Sequence, residues 1–285
     1  MTKISVFGST GFIGSRFKEM YNDKVISIPR NQYTADTDNI LYMISTVDNY
    51  NIHNNLHVDI DTNLSTLMKV LEANKGKDIT INFVSSWFVY GQNPDLPFNE
   101  DTTVCKPTGF YSITKHCAEQ MLICFCNTFN IKYRILRLAN VLGEGDKKIS
   151  RKKNALQFLI NEAVHNRNLH LYYGGEVIRD YIYVDDVCRA IDLCIETAPT
   201  NQIINIGSGK PIKFLDLIEN AIDISGSTSN IVNIQPSTFH NIVQVRHSYL
   251  DINKIKGYGF KPSISIEDAI KKLVKYYYDQ KGTNI

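Results

Sequence analysis

A phenol and an ammonium stand four residues apart in Tyr111-Ser-Ile-Thr-Lys115. On a helix, side chains at that spacing are neighbours on one face. An unperturbed tyrosine ionises near pH 10, which makes it a poor acid–base group at neutral pH. A nearby cation favours the phenolate and brings that value down. Upstream, Ser86 follows the apolar run 79–85, a buried-type strand, and so stands at the strand's carboxyl end. Open α/β sheets bind ligands at that edge. A hydroxyl there can donate to a substrate oxygen while Tyr111 exchanges a proton.

A second set of residues could hold an anion. Gly8-x-x-Gly11-x-x-Gly14 directly follows the alternating run 3–7 and opens the helical stretch 15–21. Glycines in such a turn permit a sharp bend, close approach of backbone to phosphate and close helix–strand packing, and the helix N-terminus faces the anion. The spacing is not G-x-G-x-x-G, but strand and helix flank it as a dinucleotide site requires. Gly8, Ser9, Thr10, Gly11, Phe12, Ile13 and Gly14 are therefore candidate cofactor-binding residues. Ser45 at the end of the third apolar run and Lys115, which can reach a nicotinamide ribose, join them.

The end of the second strand selects the dinucleotide. An NAD site usually places Asp or Glu there for the ribose 2′-hydroxyl. Here the run 24–28 ends in Pro29-Arg30-Asn31, with no carboxylate before Asp36. The planar fork of Arg30 can pair with a 2′-phosphate, where a carboxylate would repel it. Arg30 and Asn31 thus point to NADP(H), with NAD as the alternative; a solvated turn is the other reading of Arg30.

Positioning these residues needs a particular frame. Strand-like runs at 3–7, 24–28, 39–46, 79–85, 133–138 and 202–206 alternate with helical stretches at 15–21, 63–73, 111–129 and 185–196. That alternation implies α/β architecture, a doubly wound parallel sheet with helices on both faces. Beyond Asn140 the pattern changes to a basic loop at 143–153, a helix at 154–165 and further helices at 214–222 and 266–278. We read residues 1–145 plus 182–208 as the dinucleotide-binding domain, and 146–181 plus 209–285 as a smaller interleaved α/β substrate lobe.

Composition narrows the class. The chain has 285 residues, 43% hydrophobic and 21% charged, as soluble globular proteins do. A net charge of +2 is far from that of a general nucleic-acid binder. No apolar run approaches the roughly 18–20 residues of a membrane span, and no signal peptide is visible, so a cytoplasmic protein is expected. Cys105, Cys117, Cys124, Cys126, Cys188 and Cys194 form no metal-type spacing and read as reduced, mostly buried thiols. His53 and His57 lack a third ligand, so no metal is expected.

Taken together, these motifs resemble the extended short-chain dehydrogenase/reductase family, in its nucleotide-sugar branch, the NAD-dependent epimerase/dehydratase group. The likeness covers almost the whole chain. It includes Arg137-Leu-Ala-Asn140-Val-Leu-Gly143, Arg179-Asp180-Tyr-Ile-Tyr-Val-Asp-Asp186, Asn205-Ile-Gly207, and Asp251-Ile-Asn-Lys254 with Gly259-Phe-Lys-Pro262. The resemblance implies a Rossmann fold, a catalytic triad of Ser86, Tyr111 and Lys115, and substrate contacts from Ser86, Tyr111 and Asn140. It also implies an Arg179 that binds a nucleotide diphosphate, with Arg246 the nearest match to a second substrate arginine, and a homodimer formed through the helix bearing Tyr111.

Three departures sharpen that picture. Dehydratases of the group carry Asp-Glu directly after the residue matching Ser86; here Trp87 and Phe88 stand there and cannot move protons. They line a sugar pocket or pack in the core. The run from Ile28 to Asn39 is too short for the family's usual strand–helix excursion. Arg246 sits in a different register from the family's arginine. The resemblance then implies NADPH-dependent reduction of the C4 ketone of a nucleotide-linked 4-keto-6-deoxy sugar, for surface-polysaccharide synthesis. A 4-epimerase with tightly held NAD is the runner-up, and a non-catalytic dinucleotide-binding regulator the alternative of another class. The basic run 147–153 reads as a lid over a diphosphate or as a solvated loop.

Overall fold

The computed structural model describes residues 2–147, 149–150 and 152–283. Six parallel strands form the central sheet: β1 (Ile4–Phe7), β2 (Val25–Ile28), β3 (Asn39–Tyr42), β4 (Thr80–Ser86), β5 (Lys132–Leu138) and β10 (Gln202–Ile206). Their order across the sheet is β10-β5-β4-β3-β1-β2. Alternation along the strands sends side chains to opposite faces. Ile4, Val6, Leu41 and Val84 enter one core with Phe17 of α1 (Phe12–Met20) and Val187 and Ile191 of α6 (Val184–Thr197). Phe7, Ile40, Tyr42 and Phe83 enter the other with Leu67 and Leu71 of α3 (Thr66–Ala73) and Ala118 and Leu122 of α4 (Phe110–Phe129). The sheet is doubly wound, with a helix layer on each face.

Several elements differ from expectation. The third strand stops at Tyr42, because its neighbour β1 gives way to the glycine turn; one last bond runs from Met43 N–H to the carbonyl of Phe7. The helix ending at Ala73 begins earlier, as α2 (Val58–Ile60), and widens into a π segment over Asp61–Ser65 before α3. Cys126, Cys188 and Cys194 are buried, but Cys117 and Cys124 are exposed, since they lie on the side of α4 that faces away from the sheet. The expectation of mostly buried thiols is corrected to that extent.

From the edge strand β2 to β3 the chain passes through residues 29–38 without a helix. This strap is pinned to β1 by one side chain: the Ser5 hydroxyl accepts from the N–H groups of Asp36 and Thr37, each at 3.0 Å, and Ser5 N–H donates to Thr37 Oγ1 at 2.9 Å. Asn74 at the end of α3 accepts from Ala35 N–H at 2.8 Å. The strap therefore arrives at the amino ends of β1 and β3, where Asn39 pairs with Ile4. Asp36 and Asp38 lie at that edge, opposite the glycine turn.

Beyond the central sheet, α5 (Ala155–Val164), α7 (Phe214–Ser225) and α10 (Ile266–Thr283) lie with short strand pairs. These are β6 (Asn140–Leu142) with β9 (Tyr181–Tyr183), β7 (Leu169–Tyr172) with β12 (Ile231–Ile234), and β8 (Ile178–Arg179) with β11 (Ile212–Lys213). Helices α8 (Thr238–Val243) and α9 (Asn253–Gly257) complete this set. Leu156, Ile160, Leu217, Ile218 and Ile270 belong to the same apolar cluster as Ile4 and Val6, so these elements share a core with one face of the sheet. Among the described residues no helix is long and apolar enough to cross a membrane.

Candidate active site

The three glycines of the first βα turn do different work. Gly8 ends β1 at φ +91°, and a Cβ there would lie 3.1 Å from the backbone of Met43. At Gly14 a Cβ would lie 2.2 Å from the carbonyl oxygen of Gly8, so only glycine lets α1 pack this closely. Gly11 is the N-cap of α1, exposed, with no capping side chain and no acidic residue in the first turn. The leading N–H groups of α1 are thus not claimed by a capping side chain, as a site for a bound anion requires. Ser9 is buried within the turn, Thr10 is exposed, and Phe12 and Ile13 are half-buried. Arg30 and Asn31 are exposed just beyond β2, and Arg30 forms no ion pair among the described residues.

Ser86 closes β4 and caps the short 3-10 turn Trp87–Tyr90, its Oγ accepting from Phe88 N–H at 3.3 Å. That bond occupies a lone pair and leaves the hydroxyl proton for donation. Tyr111 lies in the first turn of α4 and is 7% exposed. Burial pushes its phenol up to about 12, while the facing hydroxyls of Ser86 and Ser45 pull weakly the other way. Lys115 is buried one turn on, its ammonium 4.3 Å from the centre of the Phe83 ring. Burial lowers it to about 7 against the opposing charge of Glu119. Burial is thus the largest influence on the phenol of the chain by itself; the lowering expected from Lys115 belongs together with the positive charge of a bound oxidised nicotinamide.

A network that sequence reasoning missed supports this corner. Asn63, in the π segment, accepts from Thr46 N–H at 2.9 Å and from the Ser45 hydroxyl at 3.0 Å. Its amide nitrogen donates to Thr114 Oγ1 at 3.0 Å. One buried amide therefore ties the end of β3 to the helix bearing Tyr111 and Lys115. No spacing rule links positions so far apart in the chain.

A cavity of about 310 Å³ opens beside the 3-10 turn that follows β4. Asn140, Arg179 and Arg246 all line it, as do Trp87 and Phe88. Four cationic side chains, Lys152, Lys153, Arg179 and Arg246, face it, and among the described residues no Asp or Glu does. Such a wall suits a polyanion. Arg179 is not spent on an acid: its guanidinium donates to the carbonyls of Ile178 at 2.9 Å, Arg246 at 2.7 Å and Val245 at 2.6 Å. Its neighbours Asp180 and Asp185 are engaged elsewhere, Asp185 with Arg16 at 2.6 Å. Asn140 donates its amide to the carbonyl of Asp180 at 2.9 Å. Within the basic run, Lys153 pairs with Asp146 at 3.2 Å and Lys152 lies 5.0 Å from the Tyr50 ring. Lys148 and Arg151 lie outside the described residues.

Other motif residues serve the frame. Arg137 grips the carboxylate of Glu119 at 2.7 and 3.1 Å in a buried pair. Asp180 accepts from the N–H groups of Ser208 at 2.9 Å, Gly209 at 3.1 Å and Leu250 at 3.3 Å; burial nonetheless raises it to about 6. His53 packs edge-on against Phe239 at 4.3 Å. In the cavity wall Tyr50 meets His240 Nδ1 at 2.7 Å, a contact that the sequence does not signal.

A model of the NAD dependent epimerase/dehydratase family matches residues 32–207. The chain is 27% identical over 253 residues to a putative UDP-glucose 4-epimerase of Methanocaldococcus jannaschii, covering 87% of this chain and 79% of that one. It is 30% identical to a dTDP-4-dehydro-6-deoxyglucose reductase of Escherichia coli, over 66% of this chain and 57% of the relative. Among solved structures, the UDP-glucose 4-epimerase of Thermotoga maritima with UDP-glucose superposes with a TM-score of 0.87 at 25% identity, covering 98% of this chain and all of that one.

Proposed function

This chain belongs to the NAD dependent epimerase/dehydratase family, and from that premise we propose that it reduces the C4 ketone of a nucleotide-linked 4-keto-6-deoxy sugar with NADPH. The observation that carries the reading is the end of β2. Arg30 stands there, and the helix-free strap takes Asp36 and Asp38 to the opposite edge of the sheet, leaving no carboxylate to read a ribose 2′-hydroxyl. Gly11 and the leading N–H groups of α1 would hold the pyrophosphate, Arg30 and Asn31 the adenosine end, and Ser45 and Lys115 the nicotinamide end. When bound, the dinucleotide supplies the hydride that adds to the ketone carbon.

The chain's own residues do the rest. Tyr111, protonated in its buried setting, delivers a proton to the carbonyl oxygen as the alkoxide develops. Ser86 donates a hydrogen bond to the same oxygen and keeps its proton, which stabilises the growing charge. Asn140 borders the sugar, and Arg179 and Arg246 receive the diphosphate. Trp87 and Phe88 offer no proton-transfer group, so elimination of water from C5 and C6 has no catalyst here. The exposed Ile113, Cys117 and Cys124 of α4 would form the contact of a homodimer.

The test follows NADPH absorbance with CDP-, GDP-, dTDP- and UDP-linked 4-keto-6-deoxyhexoses. One of the four should be reduced. Tyr111→Phe should lower turnover by roughly 10²–10⁴-fold, the usual worth of general acid catalysis, while cofactor binding is kept. The resemblance to a 4-epimerase favours one second reading, interconversion at C4 with retained NAD. Protein that purifies with NAD bound and turns over without added cofactor would establish that reading and overturn the first.

A further inference from the structure

We infer that His240 is a further ligand of the diphosphate and takes up a proton as the nucleotide sugar binds. The inference rests on the nucleotide-sugar reading of the cavity and adds a residue to it. His240 lies on α8 and lines the cavity. Three contacts fix its place. Its backbone N–H donates to the N-cap hydroxyl of Ser237 at 3.2 Å, its ring lies 4.2 Å from that of Tyr172, and its Nδ1 meets the Tyr50 hydroxyl at 2.7 Å. Among the described residues the ring makes its hydrogen bond at Nδ1 alone, which leaves Nε2 for a ligand.

The cavity offers fewer free donors than its cations suggest. Three N–H groups of Arg179 already donate to the carbonyls of Ile178, Arg246 and Val245, and Lys153 pairs with Asp146. A diphosphate there needs further donors, and an imidazolium donates from both ring nitrogens. In the chain by itself, burial and then the charge of Arg179 hold His240 below its ordinary value. Arg179 on β8, Arg246 and Lys152, the last 5.0 Å from the Tyr50 ring, are the cations on its side of the cavity, and His170 on β7 lines the same wall. Asp48, the nearby acid, accepts from Tyr50 N–H at 2.8 Å and does not line the cavity. A diphosphate seated among these cations reverses the balance, because a neighbouring anion favours the charged ring. The Tyr50 contact survives the change, since a phenolic oxygen can accept from Nδ1–H as well as donate to a neutral Nδ1. Proton and nucleotide sugar then strengthen each other's binding by the same factor.

The test is calorimetric and needs no turnover. CDP-, GDP-, dTDP- and UDP-glucose serve as probes, because their diphosphates carry no group that titrates near neutrality. With NADP⁺ saturating, the probe that binds is titrated near pH 6.5 in two buffers of different ionisation enthalpy, so that the difference in heat counts the protons taken up. The wild-type protein should take up a fraction of a proton per ligand. Its affinity should rise by roughly 5–20-fold between pH 8 and pH 6, the lower part of the range for two coupled ligands. His240→Asn keeps an amide donor but cannot titrate, so it should remove most of the uptake and flatten the pH dependence, while His170→Asn should leave both in place. No uptake by the wild-type protein would overturn the inference, whether or not the variants fold, and so would uptake that persists in a folded His240→Asn. Failure of the nucleotide-sugar reading looks different: none of the four probes binds, and the inference falls with it.

Discussion

The guanidinium of Arg179 donates to the main-chain carbonyl of Arg246 at 2.7 Å. One residue on, the Asp180 carboxylate accepts from Leu250 N–H at 3.3 Å. Adjacent residues of opposite charge therefore grip the segment 245–250, the cation through carbonyls and the anion through an amide. The outcome is that two arginines more than sixty residues apart in the chain share one cavity wall.

That coupling makes the two arginines unequal. Arg246→Ala should raise KM with little change in kcat, since it removes one charged contact to substrate. Arg179→Ala should cost more, because it also releases the backbone that carries Arg246. A lost hydrogen bond to a charged group is worth about 1.5–3 kcal/mol, so kcat/KM should fall by roughly 10–100-fold for the Arg246 change. Steady-state kinetics of both single variants and the double variant check this: the double should lose less than the product of the singles.

Arg30 is exposed, so its contribution should be specific to the extra phosphate and sensitive to salt. Arg30→Ala should weaken NADPH by about tenfold, the low end for a charged hydrogen bond, and leave NADH unchanged. Measured KM values for both cofactors at low and moderate ionic strength decide it. A wild-type enzyme that uses both equally would remove Arg30 from the site.

Lys115 gives a stability prediction with a definite pH sense. Its value falls from an ordinary 10.5 to about 7 on burial. Above pH 10.5 the amine is neutral in folded and unfolded chains alike. As pH falls below that, the unfolded chain binds the proton first and the fold loses stability, until the loss is complete near pH 7. Lys115→Met should therefore stabilise the protein by about 1–4 kcal/mol at pH 7, as apolar replacement of buried charge does, and by less at pH 9.5. Urea unfolding of both proteins at the two pH values measures the difference. The same variant should lose turnover.

Much of the frame was readable from periodicity and glycine placement. The βα turn, the strand-end Ser86 and the helix from Tyr111 to Phe129 each rest on local patterns, and the structure follows them closely. What escaped notice depends on depth or on distant pairing. Spacing put Tyr111 and Lys115 on one helix face, but spacing carries no measure of burial, which is the largest influence on both groups. Arg137 stood in a motif beside Asn140, yet its partner Glu119 lies on another element, so its role in the frame was invisible. Tyr50 and His240 meet across 190 residues, with no residue between them to hint at it.

Three consecutive positions at the end of β4 carry a hydroxyl and two aromatic rings. Because they are neighbours on one short turn, a single insertion or deletion there would displace all three at once. On the proposed reading, the hydroxyl that meets the substrate oxygen and the rings that line the cavity therefore change position together. A change of ligand at this cavity wall is then open to exchange of side chains in place, with the local backbone length held constant.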